Sequence, residues 1–199
     1  IDYTYLDSQV NTVDKKMIDF AKKVTEQTVK MYTNLLKIQK SSSKILKIEE
    51  DCGPIKLNQM NKDVYTNGIE ADIMIIPIFD TAAEALTEAS ASACMISPNN
   101  YRPIAGLMQF NPKNFDINMQ NSFEYYTMLV LHEINHILAF NDSLFDYYID
   151  PNTNKAKGRN NVVKQTNING INRKIIVTPK VVEMAKKHFN CDSIEGVEL

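Results

Sequence analysis

The sequence predicts an α+β fold, in which a twisted mixed sheet packs against a long N-terminal helix and a second, buried helix. Apolar residues recur at helical spacing from Val13 to Leu35. Residues 73–79 form a dense apolar run rich in β-branched side chains, which is typical of a buried strand. A segment from about Ser122 to Phe140 is apolar nearly all round, which predicts a buried helix.

The first half of the chain supplies the first helix and the central strand. Lys, Asp and Glu separate the apolar residues of the helix, so we expect it to be amphipathic and to end before Leu36. Residues 36–39 and 45–48, separated by three serines, predict a short hairpin. The central strand then lies within residues 69–79.

The second half is divided by proline, glycine and asparagine. A second strand is predicted at residues 104–110, stopped by Asn111-Pro112. The elements expected after the buried helix are a loop over 141–161, a hairpin over 162–177 that turns at Asn169-Gly170, and a last helix from Thr178-Pro179 through His188.

Composition limits the class of protein. The chain has 199 residues and a mass of 22.7 kDa, with 44% hydrophobic and 23% charged residues, which favours one globular domain over residues 1–199. A net charge of -2 gives no basic field, so nucleic acid is not an expected partner. No apolar stretch approaches the roughly 20 residues of a membrane span. The chain opens at Ile1 without a methionine or a signal-peptide pattern, so we expect an excerpt of a longer chain.

One motif carries chemistry: His132-Glu133-Ile134-Asn135-His136, on the predicted buried helix. Residues four apart share a helix face, so both imidazoles can reach one zinc ion at about 2.0–2.1 Å, while Glu133 is placed to hold a metal-bound water. The alternative is two core histidines bonded to backbone. Because such a helix would then bury three polar groups, each costing about 1–3 kcal/mol if unpaired, the motif favours a metal site.

The predicted activity is that of a zinc-dependent endopeptidase acting on proteins or peptides. Zinc lowers the pKa of its bound water to about 7, and Glu133 would act as general base, passing the proton to the departing amine. The strand at residues 104–110 is a candidate for the sheet edge to which a substrate adds. The alternative from another class is a metal-free pseudoprotease that binds peptides or partners without cutting them.

A catalytic zinc normally has a third protein ligand, and four candidates stay open. Asp142 lies where the extended H-E-x-x-H-x-x-G-x-x-H pattern has its last histidine, although Ala139 stands at the glycine position. Glu183 on the last helix is a candidate carboxylate, and His188 is the remaining histidine. The fourth possibility is a ligand beyond Leu199.

Short segments in a fixed order along most of the chain resemble a known family. They are Cys52-Gly53, Gly68-Ile69-Glu70-Ala71-Asp72, Cys94, Ile104-Ala105-Gly106-Leu107, the stretch from Leu131 through the motif to Phe140, Thr178-Pro179-Lys180-Val181-Val182, Lys187-His188-Phe189-Asn190-Cys191 and Glu195-Gly196-Val197-Glu198-Leu199. With these segments the sequence resembles leishmanolysin, a family of zinc metalloendopeptidases. The resemblance implies a zincin-like catalytic half-domain, with His132 and His136 as metal ligands and Glu133 as general base.

Further expectations come from the resemblance alone. Residues 141–177 are similar to an insertion after the active-site helix, and the third zinc ligand is expected C-terminal to Leu199. Cys52 is expected to pair with Cys94, which leaves Cys191 to a partner outside the sequence. The resemblance also implies an extracellular or cell-surface location, with a connection to membranes and cell adhesion.

Overall fold

The computed structural model describes residues 1–37 and 45–199. Within them the chain forms two compact units, Ile1–Leu138 and Ala139–Leu199. The expected α+β class is confirmed, because helices and several sheets occur together and the His-Glu-x-x-His motif lies on a long helix. A single domain over residues 1–199 stays a prediction.

The first unit holds a small mixed sheet and the two long helices. Its helices are α1 (Thr4–Ser8), α2 (Lys15–Leu35), α3 (Lys62–Thr66) and α4 (Ser122–Leu138). Its strands are β1 (Ile45–Leu46), β2 (Ile69–Glu70), β3 (Met74–Phe79), β4 (Ala89–Ile96) and β5 (Pro103–Phe110).

The mixed sheet has the strand order β3-β5-β4. β3 runs parallel to β5, with Ile76 opposite Leu107, and β4 runs antiparallel to β5. The strand predicted at residues 104–110 is therefore present, but the hypothesis that it is the sheet edge is wrong, because β5 lies between the two others. The outer antiparallel strand is β4, which was not predicted because the side chains of its Ala-Ser-Ala-Ser-Ala segment are small, so their alternation is only weakly apolar.

The burial of β3 accounts for its apolar sequence, since all six of its residues are buried. Ile75 and Phe79 pack in a core cluster that includes residues of α2 and α4. Met74 and Ile76 pack in a second cluster that includes Cys52 and Val64. Burial on both faces removes the polar alternation that a half-exposed strand would have.

α2 ends at Leu35, as the spacing predicted, and begins at Lys15 with Asp14 as its N-cap, accepting from the Lys16 N–H at 2.8 Å. The hairpin predicted for residues 36–39 and 45–48 falls largely on residues 38–44, which lie outside the described part of the chain. Of its second strand, β1 is present and pairs antiparallel with β2.

α4 is close to its predicted bounds, but its burial is one-sided. Tyr126, Val130 and Ile137 are buried, and α4 packs against β4, β5 and α2. The opposite side exposes Tyr125 and Met128, by 42% and 61% of their surface. The predicted burial of this helix therefore applies to one face of α4, because the face that carries Tyr125 and Met128 does not meet the core.

Glycine at position 106 permits this packing. A Cβ atom on Gly106 would lie 2.2 Å from Cγ2 of Ile137. The space that a side chain would need on β5 is therefore already filled by α4.

The second unit contains β6 (Ile149–Asp150), β7 (Lys155–Ala156), β8 (Val163–Ile168), β9 (Ile171–Ile176), α5 (Pro179–Phe189) and β10 (Val197–Glu198). β8 and β9 form the predicted hairpin, and β10 pairs with the other side of β9. Asn169 and Gly170 both have positive φ, 51° and 82°, as a two-residue type I′ turn requires. α5 begins at Pro179, as predicted.

The cysteines follow the expectation from the family resemblance. Cys52 and Cys94 form a disulfide with Cα atoms 5.1 Å apart. Cys191 is a free thiol in the described structure, and its Sγ lies 3.2 Å from Oγ of Ser193. A partner for Cys191 outside the sequence stays a prediction. In the described ranges, 1–37 and 45–199, no helix has both the length and the apolar character needed to cross a bilayer.

Gly106→Ala should lower the free energy of unfolding by about 1–3 kcal/mol, because the new methyl group overlaps Ile137. The test is a denaturation cycle with Ile137→Ala, which removes the overlapping atoms. The double variant should lose at least about 1 kcal/mol less than the sum of the single losses. Additive losses would show that the two positions do not touch.

Thiol titration of the denatured chain should give one thiol without reductant and three after reduction, because of the Cys52–Cys94 disulfide and the free Cys191. The bond closes a loop with a sequence separation of 42. Reduction should therefore lower the free energy of unfolding by about 4 kcal/mol. Three reactive thiols before reduction would contradict the pairing.

Candidate metal centre

α4 brings His132, Glu133 and His136 together on one turn of helix. One possible ligand atom from each residue lies within 4.8 Å of the other two. The Nε2 atoms of His132 and His136 are 3.1 Å apart, and the two rings are nearly perpendicular, at 85°. Among the described residues this is the group of His, Cys, Asp and Glu side chains arranged to hold a metal ion.

The spacing of the two imidazoles fits a divalent metal. Two nitrogens bound at 2.0–2.1 Å with a tetrahedral angle between them lie about 3.3 Å apart. The observed 3.1 Å is close to that separation. His132 is exposed and His136 is half-buried. The expectation that all three polar side chains of the motif are buried is therefore wrong, because only Glu133 is buried.

Glu133 is the buried carboxylate of the group, with 5% of its surface exposed. Its Oε2 has no hydrogen-bond partner in the described structure. Burial raises the pKa of Glu133, and the adjacent His136 and His132 act in the opposite direction. A buried carboxyl oxygen without a protein donor is costly to folding, which makes Glu133 a candidate functional residue.

A tyrosine of α2 contacts the turn of α4 that carries the motif. The hydroxyl of Tyr32 lies 2.9 Å from the backbone oxygen of Leu131 and 2.9 Å from Oδ1 of Asn135. Asn135 is one of the two variable residues of the motif, so this contact fixes the turn that carries both imidazoles. Tyr32 could not be predicted from the sequence, because about 100 residues separate it from the motif and no local pattern marks it.

Three residues of the second unit were alternative candidates for the third ligand, and each has a contact of another kind in the structure. Asp142 accepts a hydrogen bond from the guanidinium of Arg159, and Glu183 forms an ion pair with Lys180 at 2.7 Å. His188 is exposed, and its ring contacts Phe189 edge-on. The identity of a third ligand stays a prediction.

An H-E-x-x-H pair on one helix of an α+β fold is typical of metallopeptidases. Comparison with known families agrees: the leishmanolysin (peptidase M8) family matches residues 6–199. The chain therefore belongs to the leishmanolysin family.

Individual relatives in this family have modest sequence identity to the chain. The chain is 29% identical over 141 residues to leishmanolysin-like peptidases of Caenorhabditis briggsae and Caenorhabditis elegans. It is 30% identical over 146 residues to one of Drosophila pseudoobscura pseudoobscura. These matches cover 57–58% of this chain and 21% of each relative. The chain thus spans about a fifth of the length of the relatives it matches.

Glu133→Met should raise the free energy of unfolding of the metal-free chain by about 1 kcal/mol, because it replaces a buried carboxylate by an apolar side chain of similar size. Denaturant unfolding after treatment with a chelator measures the change. Glu124→Met is the matched control. Glu124 is exposed in the first turn of the same helix, where its negative charge is favourable, so its replacement should lower stability slightly rather than raise it. A loss of stability in Glu133→Met would show that this carboxylate has a stabilising partner.

Proposed function

We propose that this chain holds the zinc ion of an endopeptidase, with His132 and His136 as ligands and Glu133 as the general base. The observation that carries the proposal is the geometry of α4, which combines two imidazole nitrogens at 3.1 Å with a buried carboxyl oxygen that lacks a donor. Membership of the leishmanolysin family supports peptidase chemistry.

Zinc bound at this pair would polarise the scissile carbonyl and make water acidic enough to attack it near neutral pH. Glu133 accepts the proton of the attacking water at its free Oε2 and then donates it to the departing amine. Burial helps this transfer, since it raises the proton affinity of the carboxylate. Tyr32 positions the turn that carries both imidazoles.

The substrate adds to β4 in this proposal. β4 is the outer antiparallel strand of the mixed sheet, and in the described residues its free side carries no further strand. It also packs against α4, the helix of the motif. Its Ala-Ser-Ala-Ser-Ala sequence offers small side chains, which leave room for an extended peptide backbone.

We further propose that the third zinc ligand lies C-terminal to Leu199 and that the protein acts outside the cell or at its surface. The Cys52–Cys94 disulfide supports this location, because such bonds persist mainly in oxidising compartments.

The test uses the full-length polypeptide, purified without chelator and supplied with zinc. It should hold one zinc per chain and cleave a fluorogenic peptide. Glu133→Ala should keep the zinc and lose activity by about 100-fold or more, because it removes only the proton acceptor. His132→Ala and His136→Ala should lose the zinc itself, as measured by elemental analysis.

His188→Ala is the matched control, because this histidine is exposed on α5 and should be dispensable for zinc. Absence of zinc and of cleavage in the unsubstituted protein would overturn the proposal in favour of a binding module. Loss of zinc in His188→Ala would show that the ligand set is wrong.

A further inference from the structure

A groove of about 560 Å³ opens on the sheet of the second unit, between β8, β9 and α5. Ile175, Val182 and Ile194 give it an aliphatic lining, and Lys164 and Lys186 add two positive charges. Glu195 also lines the groove, so the lining carries one net positive charge. In the described structure neither lysine forms an ion pair.

One wall of the groove is an open strand edge. The second sheet has the order β10-β9-β8, so β8 is an edge strand in the described part of the chain. The two-residue turn pairs Ile168 with Ile171, and Val177 donates to the backbone oxygen of Val162 at 2.9 Å. Since the bonding alternates along an antiparallel pair, even-numbered residues of β8 bond to β9.

The backbone groups of the odd-numbered residues, Val163, Gln165 and Asn167, consequently point away from β9. In the described structure these N–H and C=O groups meet no neighbouring strand. Gln165 also lines the groove. A row of unpaired backbone groups beside a groove is the arrangement to which extended peptides add as an extra strand.

We infer that β8 and this groove bind an extended peptide segment with alternating acidic and aliphatic side chains. The backbone of the segment pairs with Val163, Gln165 and Asn167. Successive side chains of a strand point to opposite faces of the sheet. The carboxylates therefore share the groove side, where they meet Lys164 and Lys186. The interaction adds a recognition surface to the chain, and it does not depend on the chemistry of the motif on α4.

A second copy of the chain is a poorer occupant of the same edge. β8 has the sequence Val-Lys-Gln-Thr-Asn-Ile, which contains a lysine and no acidic residue. Two copies paired through β8 would bring positive charges together and leave Lys186 without a counter-charge. Charge complementarity therefore favours an acidic peptide.

The test measures binding by fluorescence anisotropy in the Glu133→Gln chain, so that cleavage does not consume the probe. The probe is a short fluorescein-labelled peptide of alternating valine and glutamate, and its control has lysine in place of glutamate. We expect the acidic peptide to bind and the lysine peptide to bind at least about tenfold more weakly, because like charges then face each other.

Substitutions on β8 and at the groove lysines test whether the peptide binds at this edge. Gln165→Pro should abolish binding and leave the chain folded, because the N–H that proline removes points away from the sheet, where proline is tolerated. Gln165→Ala, its matched control, should still bind. Lys164→Glu and Lys186→Glu should each weaken binding about fivefold, as the loss of an exposed ion pair predicts. Lys187→Glu, exposed on α5 outside the groove, should bind normally.

Equal binding of the two peptides, or unchanged binding in Gln165→Pro and in both groove-lysine variants, would overturn the inference. Concentration-dependent dimerisation that Gln165→Pro abolishes would overturn it in favour of a second copy as the occupant. Because the readout is binding in a chain that lacks Glu133, a failure here does not bear on the proposed peptidase chemistry.

Discussion

The candidate site depends on how closely α4 lies against the mixed sheet. Ile137 occupies the space where a side chain of residue 106 would stand, so a glycine on β5 sets the distance between helix and sheet. Successive helix residues are about 100° apart around the axis. This packing therefore turns Glu133 inward and leaves the adjacent His132 exposed.

The same packing explains how the fold tolerates the buried carboxylate of Glu133. A buried carboxyl oxygen without a donor destabilises the fold, and the surrounding contacts have to offset that cost. Val130, Ile134 and Ile137 are buried on the same side of the helix. The hydroxyl of Tyr32 contacts the side chain of Asn135 on the turn that carries the motif. Stability is thus spread over apolar packing and the long-range hydrogen-bond contacts of the Tyr32 hydroxyl with Leu131 and Asn135.

Much of this fold could be predicted from local sequence. α2, β3 and α5 carry their own periodicity or end signals, and Asn169-Gly170 specifies a type I′ turn without reference to the rest of the chain. β4 alternates only Ala with Ser over its first five residues, and these small side chains give too weak an apolar signal to mark a strand. The central position of β5 depends on pairing between distant strands, so a strand-by-strand interpretation placed it wrongly at the edge.

The candidate site likewise contains residues that local sequence indicated and residues that it did not. Spacing alone indicated His132, Glu133 and His136, because the i, i+4 relation is a local property of a helix. The pairing of Cys52 with Cys94 came only from the family resemblance, since connectivity cannot be deduced from spacing. Tyr32 and Gly106 act through distant partners and carry no local mark. Their roles become visible only when α2 and β5 are packed against α4.

X-ray absorption spectroscopy of the zinc-loaded chain tests the central claim most directly. The geometry of α4 predicts two imidazole nitrogens at about 2.0–2.1 Å from the zinc, and no zinc–imidazole signal from His132→Ala, which should not hold the ion. A spectrum with oxygen neighbours alone, unchanged when His132 and His136 are both replaced by alanine, would contradict a metal centre on this helix.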